Sequence, residues 1–305
     1  MMSENGVLLK TELPLKLFTR GKARDTYSLN RKLLIITTDR ISAFDRVLPN
    51  GIPNKGKVLN QLSAFWFEKT KDIIPNHMIE PLLEVQHLDS YVPEKSRFAY
   101  PAYLSGRSMV VKRAKRFPLE CVVRGYLSGS AWEEYTKQGT IAGMKMPAGL
   151  RESTKLLEPL FTPTTKADTG HDLPITMEEI RDMLGDTIAN AIKAKSLKIY
   201  DFACKYALER GIIIADTKFE FGTYNGKLTL IDELLTPDSS RFWDIALYKV
   251  RQAQPSYDKQ PLRDWLVSIG WNKEPPAPNL PPEVVAETAK RYETAFTRLT
   301  GQKLK

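Results

Sequence analysis

The chain has few of the residues that mark several protein classes. Only two cysteines, Cys121 and Cys204, occur in 305 residues. That excludes a disulfide framework and fits reduced core thiols in a cytoplasmic protein. The three histidines, His77, His87 and His171, share no ligand spacing with the cysteines, so no histidine–cysteine zinc site is expected. The longest aliphatic runs, such as Leu33-Leu34-Ile35-Ile36, are far too short to span a bilayer. Residues 1–14 lack a cationic start followed by an apolar stretch, so no secretory signal is expected. Also missing are G-x-x-x-x-G-K-[ST], G-x-G-x-x-G, G-x-S-x-G and H-E-x-x-H motifs, and any internal repeat of roughly 20 to 50 residues.

Hydrophobic residues make up 42% of the chain and charged residues 27%, the composition of a globular protein. At this length two lobes are expected rather than one core. The net charge of +9 calls for an anionic partner: nucleic acid, a membrane surface or phosphorylated metabolites. The excess is concentrated early. Residues 1–57 hold eleven basic and five acidic side chains, and residues 97–124 hold seven basic and one acidic, Glu120. No block of consecutive basic residues marks a nucleic-acid tail.

Short strands are predicted over 22–29, 33–37 and 108–112, with a helix over 58–70 from the spacing of Leu59, Leu62, Phe65 and Trp66. A strand over 119–124 follows Arg116-Phe117-Pro118, and the lobe boundary is set near 115–118, giving lobes 1–116 and 117–305. Residues 140–175 read as mostly loop, punctuated by glycines and prolines that include Gly170. Thr176 with Glu179 forms a capping box, and a second helix follows Gly185-Asp186 and ends near Gly211. Strands over 212–222 and 228–235 flank a turn at Asn225-Gly226. Residues 273–282 hold five prolines and exclude regular structure, and a last helix covers 283–300.

The hairpin carries the clearest chemistry. Alternation sets Asp216, Lys218 and Glu220 on one face of the strand. A two-residue turn would pair Glu220 with Ile231 and send Asp232 to the other face. A three-residue loop, Tyr224-Asn225-Gly226, would pair Lys218 with Asp232 and bring Glu220 beside it. The second register is expected, because two carboxylates on one face can hold Mg²⁺ against phosphate oxygens. A solvated, salt-bridged strand face is the commoner use of such charges, so the hairpin alone does not decide. Other anion-binding candidates are Arg124 followed by the Gly/Ser loop to Ser130 at a helix start, Ser239-Ser240-Arg241, and Arg20-Gly21-Lys22-Ala23-Arg24. Each also has an ordinary structural use as a cap, a turn or a charged edge strand.

Together these segments resemble the SAICAR synthetase family. Its second signature stands as Ile213-Ile214-Ala215-Asp216-Thr217-Lys218-Phe219-Glu220-Phe221-Gly222. The first stands as Pro118-Leu119-Glu120-Cys121-Val122-Val123-Arg124 through Gly129-Ser130, departing only at Ser128, where the family usually has Thr or Ala. Residues 20–25, 38–45, 232–233, 237–241 and 256–260 also look familial, and the longer, fungal-type form is the better match. The resemblance implies an α+β fold, with an N-terminal lobe similar to a kinase small lobe and a larger ATP-grasp-like lobe. It implies a ligase that uses ATP and Mg²⁺ to join L-aspartate to carboxyaminoimidazole ribonucleotide (CAIR). Lys22, Arg24 and Lys166 would meet ATP phosphates, Val111, Lys112 and Lys115 would line the adenine pocket, and Glu220 and Asp232 would hold the metal beside Lys218. Arg124, Ser130, Ser240 and Arg241 would grip CAIR, with Arg40, Ser42, Asp45, Lys259 and Arg263 as further substrate contacts and Asp238 as the candidate general base. The expected enzyme is a cytoplasmic monomer with no nucleic-acid or membrane partner. A different ATP-dependent ligase or kinase, and a basic nucleic-acid-binding protein, are the competing readings.

Overall fold

The computed structural model describes residues 6–166 and 173–305; Gly170 and His171 lie outside them. In chain order the elements are β1 (Leu17–Arg20), β2 (Arg24–Leu29), β3 (Lys32–Thr37), β4 (Arg40–Ala43), β5 (Arg46–Gly51), α1 (Lys55–Lys69), β6 (Met78–Leu82), β7 (Ser108–Lys112), β8 (Lys115–Arg116) and β9 (Leu119–Tyr126). There follow α2 (Ser130–Gln138), β10 (Thr140–Ile141), β11 (Met144–Lys145), β12 (Lys155–Phe161), β13 (Thr164–Thr165), α3 (Met177–Leu184) and α4 (Asp186–Leu208). The chain closes with β14 (Ile212–Tyr224), β15 (Lys227–Ile231), β16 (Ser240–Asp244), α5 (Gln260–Ser268) and α6 (Pro282–Thr300).

Two antiparallel sheets organise the molecule. One has the order β1-β2-β3-β7-β6; the other has β12-β9-β14-β15, with β13 on β9 and β8 and β16 on β14. Segregated helices and antiparallel sheets make the class α+β, as expected. Hydrogen-bonded sheet one ends at Lys112 and sheet two begins at Lys115. The core does not divide there. Trp66 and Phe67 of α1 lie in one buried cluster with Phe219 and Phe221 of β14, Ile192 and Ile199 of α4, and Tyr292 and Phe296 of α6. Helix α1 thus closes both halves, and α6, last in the chain, packs on α1.

The capping box is present: the Thr176 hydroxyl accepts from Glu179 N, and the Glu179 carboxylate accepts from Thr176 N. The loop expected over 140–175 contains four short strands, β10 to β13. Pro159 lies within β12. That strand is at a sheet edge and its pairing to β9 is interrupted between Lys155 and Leu160, where a missing N–H costs no ladder bond.

The hairpin takes the register not expected. Tyr224 pairs with Lys227 and Glu220 with Ile231, around a two-residue turn. Asn225 (φ 50°) and Gly226 (φ 73°) are both left-handed, the type I′ geometry that matches strand twist. Turn chemistry outweighed the supposed need for facing carboxylates. Gly226 has open space around a would-be Cβ, so Gly226→Ala isolates backbone strain. It is expected to lower unfolding free energy by about 1 kcal/mol in urea denaturation, leaving activity unchanged. Asp232 reaches the site by another route: it follows β15 with φ 70°, and that left-handed turn undoes the alternation.

Candidate active site

Three cavities adjoin one another and share lining residues. An inner one, about 510 Å³, is bounded by Gly21–Arg24, Lys166, Glu220, Asp232 and Glu233. A central one, about 210 Å³, is bounded by Arg124, Ser130, Asp216, Ser240 and Arg241. An outer one, about 540 Å³, opens past Ser128, Trp132 and Lys273. Lys218, Asp238, Ser239 and Lys259 line both the inner and the central cavity. Arg263 lines all three.

The central cavity follows from strand register. Asp216 on β14 stands opposite Arg124 on β9 and opposite Arg241 on β16. Its carboxylate accepts from the Arg124 guanidinium at 3.3 Å and also from Arg241. Arg124 further donates to Thr162 Oγ1 at 3.0 Å and to Ser130 Oγ at 3.3 Å, at the start of α2. Ser240 Oγ lies 2.8 Å from Thr217 Oγ1. One buried carboxylate thus fixes two guanidiniums whose remaining donors face the cavity, an arrangement suited to phosphate or carboxylate. Gly129 is required here. A Cβ on it would come within 2.3 Å of the Arg241 guanidinium, and its φ is +55°.

In the inner cavity Arg24 donates to Asp232 Oδ2 at 2.8 Å and approaches Glu233 Oε1 at 3.5 Å. Lys166 pairs with Glu220, and Lys218 donates to Glu120 Oε2 at 2.7 Å. The neighbouring Arg24 guanidinium holds Asp232 down at about 2 against its burial, whereas burial and the charge of Asp232 push Glu220 up to about 7. A cation would relieve that repulsion. Two carboxylates completed by phosphate oxygens and water are an ordinary Mg²⁺ arrangement, so the donor set fits this ion. Among the described residues no group of three His, Cys, Asp or Glu side chains forms a metal cage on its own.

Other expected site residues are placed as follows. Lys22 donates to Asp45 Oδ1 at 2.6 Å, across the mouth of the inner cavity, which Ser42 also lines. Arg40 lines none of the three cavities: its guanidinium donates to Asp25 Oδ1 at 2.7 Å and to the carbonyls of Leu9, Gly21 and Lys22. It supports the 20–24 loop from behind. Val111 is buried in the core, Lys112 donates to Asn76 O at 3.1 Å, and Lys115 pairs with Thr223; none of them lines the three cavities described, although Arg116 lines the inner one.

Asp238, the candidate general base, is enclosed by two cations and a phenol. It accepts from Lys55 Nζ at 2.9 Å, Lys259 Nζ at 3.0 Å and Tyr292 OH at 2.7 Å. The two ammonium groups hold its carboxyl well below the usual range against its burial, so it has little affinity for a proton. Lys55 and Tyr292 were missed by sequence reasoning. They lie 183 and 54 positions from Asp238, and no local pattern marks either residue.

A family model described as SAICAR synthetase matches residues 17–278. Phosphoribosylaminoimidazole-succinocarboxamide synthase from Thermodesulfovibrio yellowstonii is 56% identical over 296 residues, covering 97% of this chain and 99% of that relative. The Geobacter metallireducens protein of the same name is 53% identical over 298 residues, covering 97% and 98%. The solved SAICAR synthase from Saccharomyces cerevisiae, complexed with SAICAR, has a TM-score of 0.87 at 43% identity, covering 97% of this chain and 99% of that one. A type-2 SAICAR synthetase in complex with ADP shares the fold at 24% identity and TM-score 0.68, covering 94% and 99%. By signature, length and fold, the chain belongs to the SAICAR synthetase family.

Proposed function

We propose that the joined cavities carry out the ATP-dependent ligation of L-aspartate to the carboxylate of CAIR, with ATP in the inner cavity and CAIR in the central one. The observation that carries this reading is the shared wall. Lys218 and Lys259 border both cavities, so a γ-phosphoryl group on one side and a carboxylate on the other would meet between two ammonium groups. The order of the chemistry follows from the electrophile. A carboxylate is a poor acyl donor, so phosphoryl transfer to it, forming an acyl phosphate, precedes attack by the aspartate amine. Such a transfer needs alignment and charge neutralisation more than covalent help.

In this reading Arg24, Lys22 and Lys166 bind the ATP phosphates, exchanging their present carboxylate partners for them. Glu220 and Asp232 would hold Mg²⁺, which when bound supplies charge neutralisation to the phosphates. Arg124, Arg241, Ser130 and Ser240 grip the phosphate and carboxylate of CAIR, with Asp216 keeping both guanidiniums aimed. Lys259 is held at the cavity junction by Asp238, itself anchored from below by Lys55 and Tyr292. The enzyme acts as a cytoplasmic monomer on small anions. The test is ADP release with substrates omitted singly: full release requires ATP, CAIR and aspartate together. ADP at full rate without CAIR would refute the ligase reading in favour of an unrelated ATPase or kinase.

A further inference from the structure

The carboxylates along the inner and central cavities are matched to cations, with one exception. Asp216 is held by two arginines, Asp238 by two lysines, Asp232 and Glu233 by Arg24, Glu120 by Lys218, Glu220 by Lys166 and Asp45 by Lys22. Asp258 differs. It is 3% exposed and lines both the central and outer cavities. Among the described residues no cation lies within ion-pair distance of it. Its Oδ1 accepts from Gln260 N at 2.6 Å, and its own N donates to Ser256 Oγ. Five residues on, Arg263 lines the same two cavities and its guanidinium has no hydrogen-bond or ion-pair partner among the described residues. A buried anion and a nearby cation, each outside any ion pair among the described residues, complement a zwitterion.

We propose that Asp258 binds the α-ammonium of substrate aspartate and accepts its proton, with Arg263 holding one of that substrate's carboxylates. This rests on the central cavity being the CAIR site. The step balances as follows. The ammonium passes one proton to an Asp258 carboxylate oxygen. The freed nitrogen lone pair attacks the acyl-phosphate carbon, and the bond from that carbon to the bridging oxygen breaks, its electron pair leaving on phosphate. The nitrogen's second proton goes to that phosphate, and the Asp258 proton is lost to water. Burial raises the Asp258 carboxyl above its ordinary value, which improves it as a proton acceptor. The charged and titratable groups facing it are Arg241 from β16, Arg263 from α5 and Tyr292 from α6.

The test is Asp258→Asn, which keeps an acceptor for Gln260 N and removes the proton-accepting charge. With aspartate, kcat is expected to fall about 10²- to 10³-fold near neutral pH. With CAIR and hydroxylamine, a nucleophile already uncharged, ADP formation is expected to stay near the wild-type rate. The aspartate rate of the variant should climb about tenfold per pH unit toward alkaline pH, as free amine replaces catalysed deprotonation, while the wild-type rate levels off. Asp258→Glu should restore the wild-type pH profile. An aspartate rate within twofold of wild type, or a variant pH profile parallel to wild type, overturns the proposal. If wild type itself makes no hydroxylamine-dependent ADP, the acyl phosphate is what fails, and the pH profiles alone then decide the role of Asp258.

Discussion

Glu220→Gln is expected to lower turnover about a thousandfold, since about 4 kcal/mol of lost charge stabilisation in phosphoryl transfer corresponds to that factor. The folded protein should survive and, without ligands at neutral pH or above, should be no less stable. The sign follows from linkage. The Glu220 carboxyl sits near 7 in the folded chain and near 4.3 when unfolded. A raised folded value gives stability that is fully present below about pH 4.3 and is lost as pH rises through about 7. Glutamine cannot titrate, so the variant lacks that loss. Lys166, relieved of its partner, still has Glu120 at 3.8 Å. Steady-state rates and ligand-free melting curves between about pH 5 and 8 check both parts. A wild-type rate, or a variant that melts well below wild type at about pH 8, contradicts the role given to Glu220.

Asp238→Asn is expected to have the largest effect on stability. The substitution leaves Lys55, whose side chain is wholly buried, and Lys259, 9% exposed, as adjacent ammonium groups without a counter-ion. Removing one partner from such a buried cluster costs about 3–5 kcal/mol. For a chain of this length that is roughly 5–8 °C in melting temperature. Lys55→Met should cost less, because it removes one of the two like charges and leaves Asp238 paired with Lys259 and Tyr292. The ionic cluster also sets an acid limit. Asp238 is held below its unfolded value near 3.9, so its contribution is present above about pH 4 and is lost as pH falls toward the folded value. Equal melting temperatures for Asp238→Asn and wild type at pH 7 would contradict this account.

Much of the site was legible because strand alternation is a strong local rule. Asp216, Lys218 and Glu220 do share a face, and Arg124 and Arg241 do converge, since both stand opposite Asp216. Site chemistry is a poor guide to backbone register. Facing carboxylates would need a three-residue loop, whereas Asn225-Gly226 specifies the tight turn. The pair is assembled instead by the left-handed Asp232, a conformation no periodicity reveals. Arg40 lies in a familial segment, but a motif does not say which way a side chain points, and this one points inward to Asp25. Lys55 and Tyr292 meet Asp238 only because α1 and α6 pack together, a long-range fact without a local signature.

The shared lysine wall has one more consequence. Lys218 and Lys259 face both the inner and the central cavity, so two anionic ligands bound as proposed would draw on the same positive potential. Their binding would then be a linked equilibrium. Whatever factor an occupant of one cavity imposes on affinity in the other is returned in equal measure. Binding constants for either ligand are thus defined only together with the concentration of the other.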